Sequence, residues 1–263
     1  MDQKKGRNNM IDIHSHIIPG VDDGSKNIKM TIEMLKNAEL QGTNEIIATP
    51  HFCRGYAEVE YSDIVNLTKK INKLAEDEGI NVKIHHGQEV YYSGHLIEDY
   101  KENIVGTLTN TNYQLFELPL QGHFEREILD TIYELQVMGV KPILAHPERY
   151  KFLKEKPELI NEFIEEEVLF QMNAGSIKGD FGKEAKKTAE IFAKNGIYNF
   201  IGSDAHNNTS RKTGVKEGTT LAASKNKIYN NLFDDSAERL LENKIVRFKG
   251  DKIKVRRGFR FFR

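Results

Sequence analysis

Histidine and carboxylate side chains recur directly after short apolar segments of this sequence, a placement that suits metal binding. The side chains in question are His14, His16, Asp23, His51, Glu89, Glu117, His146, Asp204 and His206. They include five of the nine histidines of the chain. This mixture of nitrogen and oxygen ligands suits manganese, iron or zinc better than magnesium or calcium. Nine ligands exceed the coordination of one ion, so the set predicts two or three ions that share a carboxylate and catalyse phosphoryl displacement with a metal-activated hydroxide.

Several of these candidate ligands, His51 among them, have a structural alternative when each is taken alone. His14 and His16 share one face of an extended strand, but such pairs also occur as hydrogen-bonded structural histidines. Asp23 lies in a turn-rich loop, where an aspartate often makes an Asx-turn instead. Glu89 and Glu117 end apolar segments, and an arginine partner would compensate a buried carboxylate as a cation does. The sequence leaves these alternatives open.

The elements that must position these side chains form an alternating pattern of strands and helices. The β-like segments are 10–13, 45–48, 82–85, 114–116, 143–145, 168–172 and 199–201. The clearest helix-periodic segments are 29–40, 62–78, 125–138 and 183–194, and a glycine follows each within two residues. For segment 62–78, Ser62 is the predicted N-cap. Such alternation predicts an α/β fold with a parallel sheet, whose loops meet at the carboxyl ends of the strands. Six of the seven segments lead to a candidate ligand, and the other leads to Asn173.

Composition predicts one soluble globular domain. The chain has 263 residues, of which 38% are hydrophobic and 29% are charged, and its net charge is −1. That balance gives no reason to expect nucleic-acid binding. We see neither a membrane-spanning segment nor a signal peptide, which predicts a cytoplasmic protein. Cys53 is the only cysteine, so the chain has no internal disulfide and no cysteine-based zinc site.

Other reactive side chains have simpler interpretations. His85, His86, His95 and His123 do not follow the strands in this way and are expected to be structural or exposed. Glu148 is expected to support a ligand rather than to bind metal. Cys53 is expected to be a small buried or partly buried side chain.

Taken in order, these motifs resemble the PHP superfamily, which is named for polymerase and histidinol phosphatase domains. The opening His14-Ser15-His16 followed by Pro19-Gly20-Val21-Asp22-Asp23-Gly24 is similar to the bacterial tyrosine phosphatases of capsule and exopolysaccharide operons. The resemblance continues through Thr49-Pro50-His51, Gly87-Gln88-Glu89, His146-Pro147-Glu148-Arg149 and Ser203-Asp204-Ala205-His206, and it covers residues 10–248. It implies a distorted seven-stranded (β/α)7 barrel of the PHP type.

The resemblance also implies how the ligands are shared among three ions. One ion would take His14, His16, Glu89 and Asp204, a second Glu89, Glu117 and His146, and a third Asp23, His51 and His206. Glu89 is then the bridging ligand. The implied metal is manganese, with iron, zinc or magnesium as alternatives. Histidinol phosphatases of the superfamily tend to have histidine at the positions of Asp23 and Glu117, a difference that favours the tyrosine phosphatase branch.

The implied reaction is hydrolysis of phosphotyrosine on a bacterial tyrosine kinase with a tyrosine-rich tail, in capsule or exopolysaccharide synthesis. Arg149 and Arg211 would hold the phosphoryl oxygens, and His206 would be a proton donor. For Arg211, an ordinary solvated arginine is the alternative. The sequence indicates no oligomeric state.

Two rival functions are compatible with the same ligands. One is a PHP-type phosphoesterase that acts on a small phosphate ester such as histidinol phosphate, or on nucleic acid. The other is a catalytically silent metal-binding regulatory module that tethers a kinase.

Both ends of the chain depart from the domain. Residues 1–9 are predicted to be a flexible extension, with Met10 as an alternative start. Residues 249–263 form a basic tail in which basic and apolar residues alternate. We expect an edge strand and a solvated end there, with contact to anionic lipid or to an acidic partner as the alternative.

Overall fold

The computed structural model describes residues 10–254, which fold into alternating strands and helices. The strands are β1 (Met10–Ser15), β2 (Thr43–Ala48), β3 (His51–Phe52), β4 (Lys83–His86), β5 (Glu89–Tyr91), β6 (Tyr113–Glu117), β7 (Lys141–Ala145), β8 (Leu169–Asn173) and β9 (Phe200–Gly202). Every one of the seven predicted segments overlaps a strand. The two additional strands, β3 and β5, are very short.

Ten α-helices connect or follow these strands in the described part of the chain. They are α1 (Ile28–Leu40), α2 (Tyr61–Asp77), α3 (Leu96–Lys101), α4 (Glu127–Val137), α5 (Lys151–Glu155), α6 (Ile160–Glu165), α7 (Ala174–Lys178), α8 (Lys183–Lys194), α9 (Lys216–Lys225) and α10 (Leu232–Leu241). Single 3-10 turns lie at Leu108–Asn110, Pro147–Arg149, Pro157–Leu159 and Lys227–Asn230. Among residues 10–254 no helix has both the length and the apolar character that crossing a bilayer requires.

Helix α2 shows how the sequence pattern is realised and where it misleads. Ile64, Ile71 and Ala75 form its buried face, as the periodicity predicts. The predicted cap at Ser62 is wrong, because the helix already begins at Tyr61. Tertiary contacts of Tyr61 explain the difference. The Tyr61 amide donates to the Ile104 carbonyl at 3.0 Å, and the Tyr61 hydroxyl donates to the Thr107 carbonyl at 2.6 Å.

All paired strands run parallel, in a three-stranded sheet of order β1-β2-β4 and a six-stranded sheet of order β3-β5-β6-β7-β8-β9. Strands β3 and β5 follow β2 and β4 after short interruptions at residues 49–50 and 87–88. The first interruption contains Pro50, which cannot donate to a ladder. Between β1 and the segment after β9, a single bridge joins Ser15 to Ala205. The architecture is therefore an α/β half-barrel of parallel strands, and the predicted count of seven strands is not confirmed.

Apolar side chains fill the space on both sides of the strands. Phe163, Phe170 and Phe192 are fully buried in the largest cluster, which joins β6–β8 to the helices outside them. Ile13 and Leu115 belong to a second cluster below the carboxyl ends of the strands, which also includes residues of α10. This packing makes the strand ends a rigid platform for the loops above them.

Tyr150 ties two of these strand ends together from a fully buried position. Its hydroxyl donates to the Ala145 carbonyl at 2.8 Å and accepts from the Leu118 amide at 3.1 Å. Tyr150→Phe removes both of these hydrogen bonds, so we expect the free energy of unfolding to fall by about 1–3 kcal/mol. Urea unfolding monitored by circular dichroism measures this, with Tyr133→Phe as the exposed control. Equal stabilities for the two variants would contradict the role given to the hydroxyl.

The C-terminal segment differs from its prediction where the structure describes it. Residues 249–254 form no strand; the Asp251 amide donates to the Asn195 carbonyl and the Ile253 amide to the Asn161 side chain. The predicted edge strand is therefore wrong for this segment, because loop and side-chain acceptors take its amides. The predictions for residues 1–9 and 255–263 lie outside the described residues.

Candidate functional site

The candidate ligands are delivered by the carboxyl ends of the strands and the loops after them. His14 lies within β1 and His16 just beyond it, while Glu117 is the last residue of β6. His51 and Glu89 begin the short strands β3 and β5, which are paired with each other. Their breaks from β2 and β4 thus place both side chains at the same level of the half-barrel.

All nine candidates meet in one cluster. Their ligand atoms form overlapping groups within which every pair lies closer than 4.8 Å. These groups are His14-Glu89-His146, His14-His16-Asp204, His51-Glu89-Glu117 and His16-Asp23-His51-His206. None of the histidines expected to be structural or exposed belongs to such a group in residues 10–254. His85, for example, is 2.6 Å from Glu45.

Glu89 stands at the centre of the cluster and is completely buried. Its Oε2 lies 3.2 Å from His14 Nε2, 3.3 Å from His16 Nε2 and 3.1 Å from His51 Nδ1. Its Oε1 lies 3.1 Å from His146 Nε2. Burial opposes ionisation of this carboxyl, but His14 and His51 outweigh it and hold the pKa of Glu89 well below its usual range.

The chemistry of the donor set fits metal ions. His14 Nε2 and His16 Nε2 face each other at 3.1 Å, and at most one proton can lie between them. Glu89 Oε2 is buried, and in the described chain none of the nearby imidazole nitrogens is oriented to donate a hydrogen bond to it. Burial and the charge of Glu89 raise the pKa of Glu117 to about 9. Divalent cations between such nitrogens and carboxylates would be bound by the nitrogens and would compensate the buried carboxylate charge.

The alternative of an arginine partner fails for two of the carboxylates. Within residues 10–254 no lysine or arginine nitrogen lies within 4 Å of Glu89 or Glu117, whose ion-pair neighbours are histidines. Asp204 differs because its two oxygens face different groups. Its Oδ1 lies 3.7 Å from His14 Nε2 and 3.5 Å from His16 Nε2.

Two arginines approach the other oxygen of Asp204. Arg149 Nη1 donates to Oδ2 at 2.7 Å and Arg211 Nη2 lies 2.6 Å from the same atom. Asn173 Nδ2 donates to it as well, at 2.7 Å. Asp204 therefore separates the histidine cluster from a pair of guanidinium groups. For Arg211, the alternative of a freely solvated side chain is wrong.

Two residues that the sequence pattern did not indicate orient the imidazoles. His14 Nδ1 donates to Gln171 Oε1 at 2.9 Å, and His16 Nδ1 donates to Asp22 Oδ2 at 2.7 Å. These bonds direct Nε2 of each ring into the cluster. A polar Gln171 in the otherwise apolar segment 168–172 was the available signal, whereas nothing distinguished Asp22 from Asp23 in sequence.

The backbone is held in uncommon conformations at two of the candidate ligands. His146 has φ 30° and Asp204 has φ 52°, both left-handed values that side chains other than glycine rarely adopt. Close by, a Cβ at Gly202 would lie 2.4 Å from His14 Cβ, so only glycine fits under this ligand. Such strain persists where the surrounding packing fixes it, and it is characteristic of functional sites.

A cavity of about 620 Å³ opens above the cluster. Asp23, His51, Glu89, Glu117, His146, Asp204 and His206 line it together with Arg149 and Arg211. Tyr91, Pro119 and Leu120 form a partly exposed apolar wall of the same cavity. Burial, with Arg149 nearby, lowers the pKa of His146 to about 4, so its ring is neutral as a metal ligand must be.

Comparison with known proteins places the chain in a family. Residues 10–242 match the family described as "Capsular polysaccharide synthesis, CpsB/CapC". The chain belongs to this family. Its relatives in the CpsB/CapC family include the tyrosine-protein phosphatase YwqE of Bacillus subtilis, 33% identical over 96% of this chain and 100% of the relative. The putative tyrosine-protein phosphatase CapC of Staphylococcus aureus is 35% identical over 79% of this chain and 81% of the relative.

Solved structures agree with this assignment. One structure, from work on YwqE of Bacillus subtilis and CpsB of Streptococcus pneumoniae as unique metal-dependent tyrosine phosphatases, matches with a TM-score of 0.87. The two sequences are 32% identical, and the aligned region covers 94% of this chain and 100% of the chain in that structure. A histidinol phosphate phosphatase of Lactococcus lactis, 15% identical, matches with a TM-score of 0.54 over 83% of this chain and 94% of that chain. The second similarity shows that this CpsB/CapC chain shares its fold with a histidinol phosphate phosphatase.

Proposed function

We propose that this chain is a metal-dependent protein-tyrosine phosphatase that hydrolyses phosphotyrosine on a bacterial tyrosine kinase of capsule or exopolysaccharide synthesis. The observation that carries the proposal is the convergence of nine metal-capable side chains beneath two arginines. Membership of the CpsB/CapC family supports it, because several relatives are tyrosine phosphatases. The similarity to these relatives extends over most of this chain and over their whole length, so it includes the entire domain that carries the candidate site.

The distances support a division of the ligands among three ions. His14, His16, Glu89 and Asp204 would hold the first ion, and Glu89, Glu117 and His146 the second. Asp23, His51 and His206 would hold the third. His206 Nε2 and His51 Nε2 lie 3.4 and 3.7 Å from Asp23 Oδ1, as a shared ion would require. Glu89, with one oxygen toward each of the first two groups, would be the bridging ligand. Manganese is our proposed metal, with iron, zinc or magnesium as alternatives.

Arg149 and Arg211 would bind the phosphoryl group of the substrate. Both guanidinium groups line the cavity and both are partly exposed. Their shared contact with Asp204 Oδ2 holds them beside the ligand cluster. Because a guanidinium donates several hydrogen bonds, each arginine can retain Asp204 and donate to a phosphoryl oxygen as well.

When bound, the metal ions would activate water and neutralise charge that develops on the phosphoryl oxygens. The leaving tyrosinate has a conjugate acid with a pKa of about 10, so it departs without a strong acid. His206 would be the proton donor only while its Nε2 carries a proton and holds no ion, because one nitrogen cannot do both at once. The His206 ring lines the cavity, and its Nδ1 donates to the Asp204 carbonyl at 3.0 Å, which directs Nε2 toward Asp23.

The apolar wall of the cavity would contact the phenyl ring of phosphotyrosine. We expect Tyr91→Ser to lower kcat/KM for a phosphotyrosyl peptide about 2- to 10-fold, because an aromatic contact of ordinary strength is lost. Turnover of a small aliphatic phosphate ester should change little. Steady-state kinetics with both substrates measure the ratio, and Tyr91→Phe is the matched control. A parallel loss for both substrates would contradict the contact.

Substrate profiling tests the proposed function. Wild-type protein loaded with manganese is compared on a phosphotyrosyl peptide, a phosphoseryl peptide, histidinol phosphate and a DNA 3′-phosphate. The proposal expects the highest kcat/KM for the phosphotyrosyl peptide. Faster hydrolysis of histidinol phosphate or DNA would identify a different phosphoesterase. No phosphate release under any of the candidate metals would identify a silent binding module.

The remaining assignments follow from the same proposal. Residues 10–248 would form the catalytic domain, and the substrate would be the tyrosine-rich tail of a bacterial tyrosine kinase. The chain itself would be cytoplasmic, with at most peripheral contact to the membrane.

A further inference from the structure

Phe181 lies beside the two arginines and outside the hydrophobic core. Its side chain is partly exposed and belongs to none of the hydrophobic clusters formed by residues 10–254. The Cζ atom of Arg149 is 4.5 Å from the centre of the Phe181 ring, and that of Arg211 is 5.5 Å away. Both distances are within the range of cation–π attraction. One aromatic ring therefore contacts both guanidinium groups.

The ring is held firmly in this place. A Cβ added at Gly175 would lie 2.7 Å from Phe181 Cε2, so the ring rests directly on the backbone of α7. Gly179 and Gly182, on either side of Phe181, have φ of 107° and 90°, values that glycine adopts readily. The Asp180 amide donates to the Gly175 carbonyl at 2.9 Å and closes the turn. The backbone thus fixes the ring independently of the arginines.

The arginines need such support because their other contacts are few. They carry like charges and converge on one oxygen of Asp204. Arg211 Nε is buried and has no hydrogen-bond partner in the described chain. The loop that carries Arg211 is ordered by Asn207, whose Oδ1 accepts from the Arg211 amide at 3.0 Å. That contact fixes the backbone of Arg211 but not its guanidinium plane.

We propose that Phe181 is a positioning residue that holds Arg149 and Arg211 in the orientation that binds the phosphoryl group. Its ring lies against both guanidinium groups, and both arginines also line the cavity. The inference rests on the proposed phosphate-binding role of the two arginines. It adds a residue from the α7–α8 loop, which contributes no candidate metal ligand, to the determinants of substrate affinity.

The test compares Phe181→Leu, which keeps an apolar side chain, with Phe181→Tyr, which keeps the aromatic face. We expect Phe181→Leu to raise KM for a phosphotyrosyl peptide, and the inhibition constant of inorganic phosphate, about tenfold. The value of kcat should change less, and Phe181→Tyr should stay near wild type. Bound metal, measured by mass spectrometry, and the melting temperature should be the same in all three proteins.

A double-mutant cycle separates positioning from general packing. In an Arg211→Met background the effect of Phe181→Leu should shrink to about threefold, because only the contact with Arg149 remains. Equal KM values for wild type and Phe181→Leu would overturn the proposal. So would an identical loss in the leucine and tyrosine variants, or an effect that is unchanged by Arg211→Met.

Calorimetry with inorganic phosphate keeps this inference distinct from the proposed function. Phosphate binding by the metal-loaded protein reports on the arginines without turnover. If phosphate binds in a manner that depends on Phe181 but phosphotyrosine is not hydrolysed, the inference stands and the proposed function fails. If phosphotyrosine is hydrolysed and phosphate affinity is the same in Phe181→Leu, the function stands and the inference fails.

Discussion

Replacement of Glu89 by glutamine is expected to lower phosphotyrosyl-peptide turnover by about 10³-fold or more, since metal ions supply several kcal/mol of transition-state stabilisation. Glutamine has almost the same shape, so the packing around position 89 is preserved. The charge that faces His14, His16 and His51 is lost, and the amide nitrogen of glutamine is a poor ligand in place of a carboxylate oxygen. If Glu89 bridges two ions, both should bind more weakly.

Steady-state kinetics and metal analysis together measure this effect. The matched control is Glu98→Gln, which removes a carboxylate of the same type from an exposed helix position away from the site. We expect Glu98→Gln to keep wild-type activity and metal content. Loss of a single ion with the others fully retained would argue against bridging by Glu89. Unchanged turnover in Glu89→Gln would reject the cluster as the catalytic site.

Much of this arrangement was predictable because it depends on local sequence. Strand propensity and the carboxyl-end rule located His14, His146 and Asp204 without any three-dimensional information. Glycines after the helices gave their ends correctly, and Gly79 and Gly139 have the positive φ expected of such positions. These features depend on a few neighbouring residues, which the sequence displays directly.

The missed features depend on contacts between distant parts of the chain. Gln171 orients His14 across 157 residues, and Asn173 reaches Asp204 across 31. Their side-chain types are common in solvated loops, so sequence alone cannot show that they are buried acceptors and donors. The same holds for the early start of helix α2, which depends on the contact between Tyr61 and the loop before β6. The short strands β3 and β5, which no predicted segment covers, likewise depend on tertiary contacts, since β3 pairs with β5 and β5 with β6.

Removal of the metal ions is expected to abolish phosphatase activity and to destabilise the fold. Ions present at about 100 times their dissociation constant stabilise the native state by about 2.7 kcal/mol through mass action alone. The cluster adds a reason specific to this chain. Without ions, the buried oxygens Glu89 Oε2 and Asp204 Oδ1 have only histidine nitrogens to compensate their charge, which destabilises the fold. Dialysis against a chelator followed by thermal unfolding measures the loss, and titration with manganese should reverse it.

The effect of chelation on the melting temperature should depend on pH, because histidine ligands bind metal only when they are deprotonated. Burial opposes protonation of His16, but Asp22, Asp204 and Glu89 outweigh it and raise the pKa of this imidazole well above its usual value. An ion bound at its Nε2 must displace that proton, so the apparent affinity falls as the pH falls. The melting temperatures of loaded and chelated protein should therefore converge toward pH 5 and separate toward pH 8. In the Glu89→Gln variant the separation at pH 8 should be much smaller. A separation that is independent of pH would mean that the chelator acts elsewhere than on this histidine-rich cluster.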